Sequence, residues 1–337
     1  MRIHIYIFLA CAVFFSACAS GGSAPKAISG PEVKPVEYNV TSSTGNSAAQ
    51  KLTYKVGPFS LPAGQKAITM WDAPGSINFQ TEEPLWVTSF EHDIEEAGGN
   101  ELPKDLLHMA IVSNNSEKNP LCADKEVANP FIAATSAIPR IELPEGTGYA
   151  ILPEDQLDAK VVLQNPTTQD FNNVYFKFTI SAIPMKGAKN IKDVAPLLFD
   201  TDPCDHTPMS VPPKEFAKKT AEFKMPEDGL LTKAYGLLQD YGVEVSLTSD
   251  DQPTPFWEGR AELSEGHQVT SLPVYNDPAG ISLKSGDKIV FEAVYDNSSD
   301  AWQSAATGAI MAYVVRTGDE EKPTAIDATS AQKALIK

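Results

Sequence analysis

The sequence predicts an all-β protein built as two antiparallel β-sandwich (jelly-roll-like) domains packed side by side. Short runs that alternate apolar and polar residues recur along most of the chain, as half-buried strands do. Turn formers are dense, with 26 prolines and 21 glycines among 337 residues. Helical periodicity is nearly absent, and only residues 213–219 read as a short helical turn. A hydrophobic content of 42% is enough to bury cores of this kind.

The first element is a leader. Arg2 precedes an apolar run from Ile5 to Phe15, followed by Phe15-Ser16-Ala17-Cys18. An apolar stretch this short, ending in small residues, predicts a secretory signal over 1–18 and is too short for a membrane span. Its end resembles the bacterial lipobox, which implies lipidation of Cys18 and a membrane partner reached through that lipid. The other reading is a plain cleaved signal with an incidental cysteine. Ala19, in place of an inner-membrane-retaining Asp, points to the outer membrane of a diderm envelope. Residues 19–50, rich in Ser, Gly, Ala, Pro and Thr, predict a flexible tether.

Strands follow from Lys51. The clearest in the first half are 85–94 (LWVTSFEHDI), 106–113 (LLHMAIVS), 159–165 (AKVVLQN) and 174–180 (VYFKFTI). In the second half they are 220–225, 230–239, 243–247, 288–297 and 309–316. Turn signals such as NDPAG before Ile281 and SGD before Lys288 punctuate them. A break holds Pro184, Pro196, Pro203, Pro208, Pro212 and Pro213. The expected division is therefore a first sandwich over 51–182, a Pro-rich connection over 183–219, a second sandwich over 220–318 and a loose tail over 319–337. Cys11 and Cys18 belong to the leader, so the exported fold keeps Cys122 and Cys204. Two thiols in an oxidising compartment predict one disulfide, which pins the connection to the first domain.

Composition also excludes functions. A formal net charge of −17 argues against nucleic acid, whose binding needs a basic face, and against direct adhesion to anionic headgroups. The chain contains no HExxH, HxH or HxxxH histidine pattern, no phosphate-cradling GxxxxGK loop and no G-x-S-x-G elbow. Its five histidines are His4 in the leader, His92, His108, His206 and His267. In CDHTPM, His206 and Met209 stand three apart beside Cys204, an imidazole and thioether pair suited to copper; the bland reading is a polar loop. His92 reads as a strand-end residue, His267 as part of a solvated turn, and Met311 as core packing.

Several stretches together resemble one family. LPKDLLHMAIVS, ELPEGTGYAI at 142–151, VVLQNPT at 161–167, AYGLLQDYG and AATGAIMAYVV occur in the order found in copper type II monooxygenase-like proteins. These are relatives of the peptidylglycine α-hydroxylating core, and the likeness is greatest to their stress-up-regulated nodulin-like branch. The resemblance covers roughly residues 55–316 and implies two β-sandwiches, each carrying a copper in active members. Its ligand positions fall here on Leu107, His108 and Gln164 for one copper, and on Leu237, Gln239 and Met311 for the other. Of five expected histidines only His108 remains, and leucine cannot coordinate copper. The resemblance therefore implies a scaffold whose metal ligands have been replaced. The functional expectation is a non-catalytic cell-envelope lipoprotein, a binding or structural module on this scaffold, whose unidentified protein or small-molecule ligand would occupy the crevice between the sandwiches. The alternatives are a copper-dependent monooxygenase with a rearranged site using His92, His108, His206, Met209 and Met311, or a copper carrier or sensor built on His206 and Met209.

Overall fold

The structure, a computed structural model, describes residues 39–42, 49–67, 75–122, 125–202, 204, 209–250 and 252–317. The predicted leader with Cys18, His206 and the predicted tail over 319–337 lie outside the described residues.

The fold is all-β, and a ten-stranded sheet is shared by its two halves. The first part of that sheet orders β1 (Asn39–Ser42), β2 (Gln50–Leu61), β10 (Phe171–Pro184), β4 (Leu85–Glu96) and β8 (Thr147–Ile151), with β7 (Arg140–Glu142) also on β4. The second part orders β11 (Lys192–Asp200), β22 (Ala309–Arg316), β14 (Gly229–Leu237) and β19 (Val274–Leu283). The seam between them is a short parallel pairing of β8 with β11, Thr147 against Lys192 and Gly148 against Asp193. Asp193 reinforces it: one carboxylate oxygen accepts from Ala150 N at 3.3 Å, and the other pairs with Arg316.

Each part is faced by a four-stranded antiparallel sheet. Over the first lie β3 (Gly75–Phe79), β9 (Leu157–Leu163), β5 (Leu107–Lys118) and β6 (Ala128–Ala134). Over the second lie β13 (Glu215–Lys224), β20 (Lys288–Asn297), β15 (Gly242–Ser249) and β16 (Trp257–Arg260). Two small ribbons complete the fold, β12 (Met209–Val211) with β21 (Gln303–Ala306), and β17 (Glu262–Leu263) with β18 (Val269–Ser271). Aromatic rings join the layers. Tyr54 on β2 lies 4.5 Å from Phe79 on β3 between centroids, and Phe199 on β11 meets Phe223 on β13 edge-on at 5.1 Å.

The strands differ in what covers them. β2, β4 and β10 alternate buried and more exposed positions, because one face meets the core and the other meets water. β8, β14 and β22 are buried at almost every position. On one face of β14 and β22, the Tyr235 and Tyr313 hydroxyls donate to the Ala133 and Phe131 carbonyls of β6 at 3.0 and 2.9 Å. On the other face, a Cβ at Gly236 would lie 2.6 Å from Val245 on β15. Strands covered on both sides read as continuous apolar runs.

Several expectations need correction. The Pro-rich stretch over 183–219 is not only a connection, since it contains β11, β12 and the start of β13. Pro196 is tolerated in β11 because the strand pairs with β8 only at Lys192 and Asp193, so its missing N–H breaks no ladder on that side. Residues 213–219 form no helical turn: Glu215 to Lys219 extend along β20 as an edge strand of alternating, mostly exposed side chains. The tether segment over 19–50 includes β1, paired with β2. The NDPAG signal lies inside β19, where residues 277–280 bulge between the paired Asn276 and Ile281. The Asp277 carboxylate accepts from Ala279 N at 2.9 Å, and Gly280 takes φ 66°. Cys122, after β5, is bonded to Cys204, after β11, with Cα atoms 5.6 Å apart.

Candidate ligand cleft

The strand-and-turn stretch YGLLQDYG ends at a cleft. Tyr235 and Leu237 point toward the first half, opposite to Gly236, and Gln239 follows with the same parity just past the strand. Its Nε2 donates to the His108 carbonyl at 3.3 Å, and its backbone N donates to the Tyr295 hydroxyl at 3.3 Å. The chain then turns sharply. Gly242 N donates to Gln239 O at 2.9 Å, and a Cβ at Gly242 would meet that same oxygen at 2.9 Å. Glycine is therefore required here. Tyr241, at φ 67°, stacks on His267 at 4.9 Å between centroids.

His108 approaches from the other half. On β5 the register with β9 shifts between Leu107 and Met109, so His108 sits at an irregularity that turns its side chain out of the regular alternation. It is 8% exposed, and burial lowers its pKa to about 4 against a partly opposing side-chain hydrogen bond with Gln164. The ring is neutral at pH 7. Gln164 is fixed in turn, its Nε2 donating to Asp105 O at 3.2 Å and its backbone N to Leu106 O at 2.9 Å.

These groups line a cleft of ≈ 290 Å³ between the halves. Gln65, Lys66, His108 and Gln164 come from the first half, and Gln239, Asp240, Trp302 and Gln303 from the second. Burial, and then the negative charge of Asp105, push the Asp240 carboxyl up to about 6. Trp302 stands at the rim, 58% exposed. Gln303 Nε2 donates to Ser299 Oγ at 3.2 Å.

Two buried asparagines hold the rims. Asn165 donates to Leu61 O at 2.9 Å and Gln169 O at 2.8 Å, and its Oδ1 accepts from Thr167 N and Oγ1. Its backbone N donates to Gln65 O at 2.8 Å, which fixes the loop carrying Lys66. Asn297 donates to Val211 O, Pro212 O and Ala301 O at 3.1, 2.8 and 2.8 Å, and its Oδ1 accepts from Ser299 N and Oγ. It fixes the loop carrying Trp302.

The structure brings together only part of the sequence-derived site set. His108 lines the cleft. Met311 is fully buried in β22 and does not line it, and Met209 is buried on β12 opposite Ala306, which does. His92 is not at a strand end: it lies within β4, 3% exposed, with Nε2 at 3.3 Å from Thr135 O and 3.2 Å from Ile138 O. Burial, only partly offset by those bonds, lowers its pKa to about 4. The half-buried His267 has Nε2 3.2 Å from Ser298 Oγ. Among the described residues, no three His, Cys, Asp or Glu side chains converge in a metal-holding group. Lys66, Trp302 and Gln303 escaped sequence reasoning because they sit on loops distant in the chain with no motif of their own. The signal in the sequence that could have found those loops is the paired N-x-T and N-x-S at Asn165 and Asn297.

No protein-family model matches the chain, and no curated protein matches it. Among solved structures it is similar to a Sulfolobus Turreted Icosahedral Virus structure, at TM-score 0.35 and 10% identity, covering 89% of this chain and 96% of that one. It is similar to PNGF-II at TM-score 0.32 and 10% identity, covering 86% and 66% respectively. A third is a putative secreted protein from Parabacteroides distasonis, at TM-score 0.21 and 10% identity, covering 85% and 99%. Similarities this weak leave the function to be argued from the cleft itself.

Proposed function

We propose that this protein is a non-catalytic binding module of the bacterial cell envelope, lipid-anchored at Cys18, whose ligand occupies the cleft between its halves. The observation that carries the reading is the make-up of that cleft. His108 and Gln164 from one half face Gln239 and Asp240 from the other, with amides at positions where the monooxygenase resemblance expects imidazoles. The residues present do not fit a copper centre. Leu107 and Leu237 are buried apolar groups, Met311 packs in the core, and the His108 ring already shares a hydrogen bond with Gln164. An amide oxygen is a poor partner for Cu(I). What the cleft does offer is a concave space where a few fixed polar groups stand among apolar ones such as Pro166, Trp302 and Ala306, the usual composition of a small-ligand site.

Two measurements test this. Titration of the purified full chain with Cu(I) and Cu(II) under controlled redox conditions should give no stoichiometric binding; about two equivalents would bring back the redox reading. The small-molecule fraction of a bacterial envelope extract should raise the melting temperature of the wild-type chain and leave that of Gln239→Leu unmoved. An equal rise in both would place the ligand elsewhere.

A further inference from the structure

The cleft has a specific chemical character, and a ligand class follows from it if the cleft is the ligand site, the reading on which this inference rests. We infer that it takes a neutral saccharide, with Trp302 as the platform for one sugar ring and Gln239, Gln303 and Asp240 as partners for its hydroxyls.

Charge argues first. Among the described residues, the lining holds one lysine, Lys66, and one carboxylate, Asp240. Recognition of a phosphate or sulfate calls for clustered cations, typically arginine forks, and among the described residues none lines this space. A ligand with several positive charges would need clustered carboxylates on the wall, and among the described lining residues Asp240 is the one carboxylate. A wholly apolar ligand would leave Gln65, Gln164, Gln239, Gln303 and Ser304, which line the space beside Ala67, Pro166 and Ala306, without partners.

Amides suit a polyol. Each offers an acceptor and donors without net charge, matching hydroxyls that both give and receive hydrogen bonds. They are also pre-set. The Nε2 of Gln239 is tied to His108 O and that of Gln303 to Ser299 Oγ, which fixes where each Oε1 stands. Groups held before binding lose little entropy on capture.

Trp302 supplies what amides cannot. A large aromatic ring left 58% exposed at the rim of a polar cleft is an unusual placement, because such surface is normally buried. A sugar ring has one face of C–H groups and a periphery of hydroxyls, so it can lie on the indole and turn its hydroxyls to the amides. The Asn297 clamp on Ala301 O holds the backbone next to Trp302, so the platform is fixed as well. A volume of ≈ 290 Å³ lies at the low end for ligand sites, about the space of one sugar ring, and the opening leaves a second ring outside.

The test uses the full-length chain in detergent with maltose, cellobiose, mannobiose and chitobiose as probes, read by tryptophan fluorescence and saturation-transfer NMR. At least one should bind at millimolar concentration or better. Trp302→Ala should weaken it at least about tenfold and Trp302→Phe should restore part of the loss, with the melting temperature of both variants unchanged. Gln239→Leu should weaken it too. If no neutral disaccharide binds the wild-type chain, or if binding survives both Trp302→Ala and Gln239→Leu, the assignment is overturned. The envelope fraction separates the two readings. If it still raises the wild-type melting temperature while no sugar binds, the saccharide assignment alone falls; if neither has an effect, the cleft reading falls with it.

Discussion

The two rims of the cleft are built the same way and equipped differently. In the first half, Asn165 sits just after β9 and clamps carbonyls at Leu61 and Gln169; in the second, Asn297 closes β20 and clamps carbonyls at Val211, Pro212 and Ala301. Both are fully buried, and both accept from a hydroxyl residue two positions on. One rim presents Lys66 and the other Trp302. Shared carpentry with unlike surfaces means that the clamps serve the fold and the exposed side chains serve selectivity. Stability and binding should therefore separate cleanly between the two residue sets.

The largest effect on stability should come from Asn297→Ala. It deprives three carbonyls of their donor, and an unsatisfied buried group costs about 1–3 kcal/mol, so urea denaturation should show a loss of about 3–5 kcal/mol. Asn165→Ala, with two carbonyls affected, should lose about 2–4 kcal/mol. Limited proteolysis sharpens the contrast: each variant should gain cleavage in its own rim, near Gln65 or near Trp302, and not in the other.

Acid should then act in opposite directions on particular groups drawn from the two halves. His92 and His108, both in the first, have folded pKa values of about 4 against an unfolded value near 6.5. Between those limits the unfolded chain binds more protons, so stability is full above about pH 6.5 and falls as the pH drops toward 4. Each histidine contributes a loss of about 3 kcal/mol across that window. Asp240, in the second half, has its pKa raised to about 6 and works in the opposite sense, stabilising the fold as the pH falls from about 6. Its smaller shift and partial exposure leave the histidines dominant. His92→Gln should flatten the denaturation-versus-pH curve, and Asp240→Asn should steepen it.

Smaller effects follow. Tyr313→Phe removes the donor to Phe131 O between the halves and should cost about 1–3 kcal/mol by urea denaturation. Lys66→Ala and Trp302→Ala should change stability by less than about 0.5 kcal/mol; a larger loss for either would break the separation of clamp from surface.

Alternation in β4 and β20, and the continuous apolar run of β22, made these strands legible in the sequence. β20 and β22 match their sequence bounds of 288–297 and 309–316, and β4 extends the expected 85–94 by two residues. β11 escaped because Pro196 and the prolines around it read as a connection, when only the partner strands decide whether a missing N–H matters. β6 escaped because Asn129 and Pro130 interrupt its apolar run, which an edge strand tolerates. At the cleft, His108, Gln164 and Gln239 were legible through a family resemblance to ligand positions. Trp302 and Lys66 were not, since their meaning depends on two asparagine clamps acting across long stretches of chain.

The bulge in β19 matters once many copies stand close together. A sheet with an open edge invites another chain to add itself, and repetition of that step makes fibres. β19 ends the ten-stranded sheet, and along it residues 277–280 leave the regular ladder, with Pro278 offering no N–H at all. An arriving strand meets a gap in the middle of the row it must zip onto. The irregularity that hid inside a turn signal therefore interrupts strand addition along this edge of the sheet.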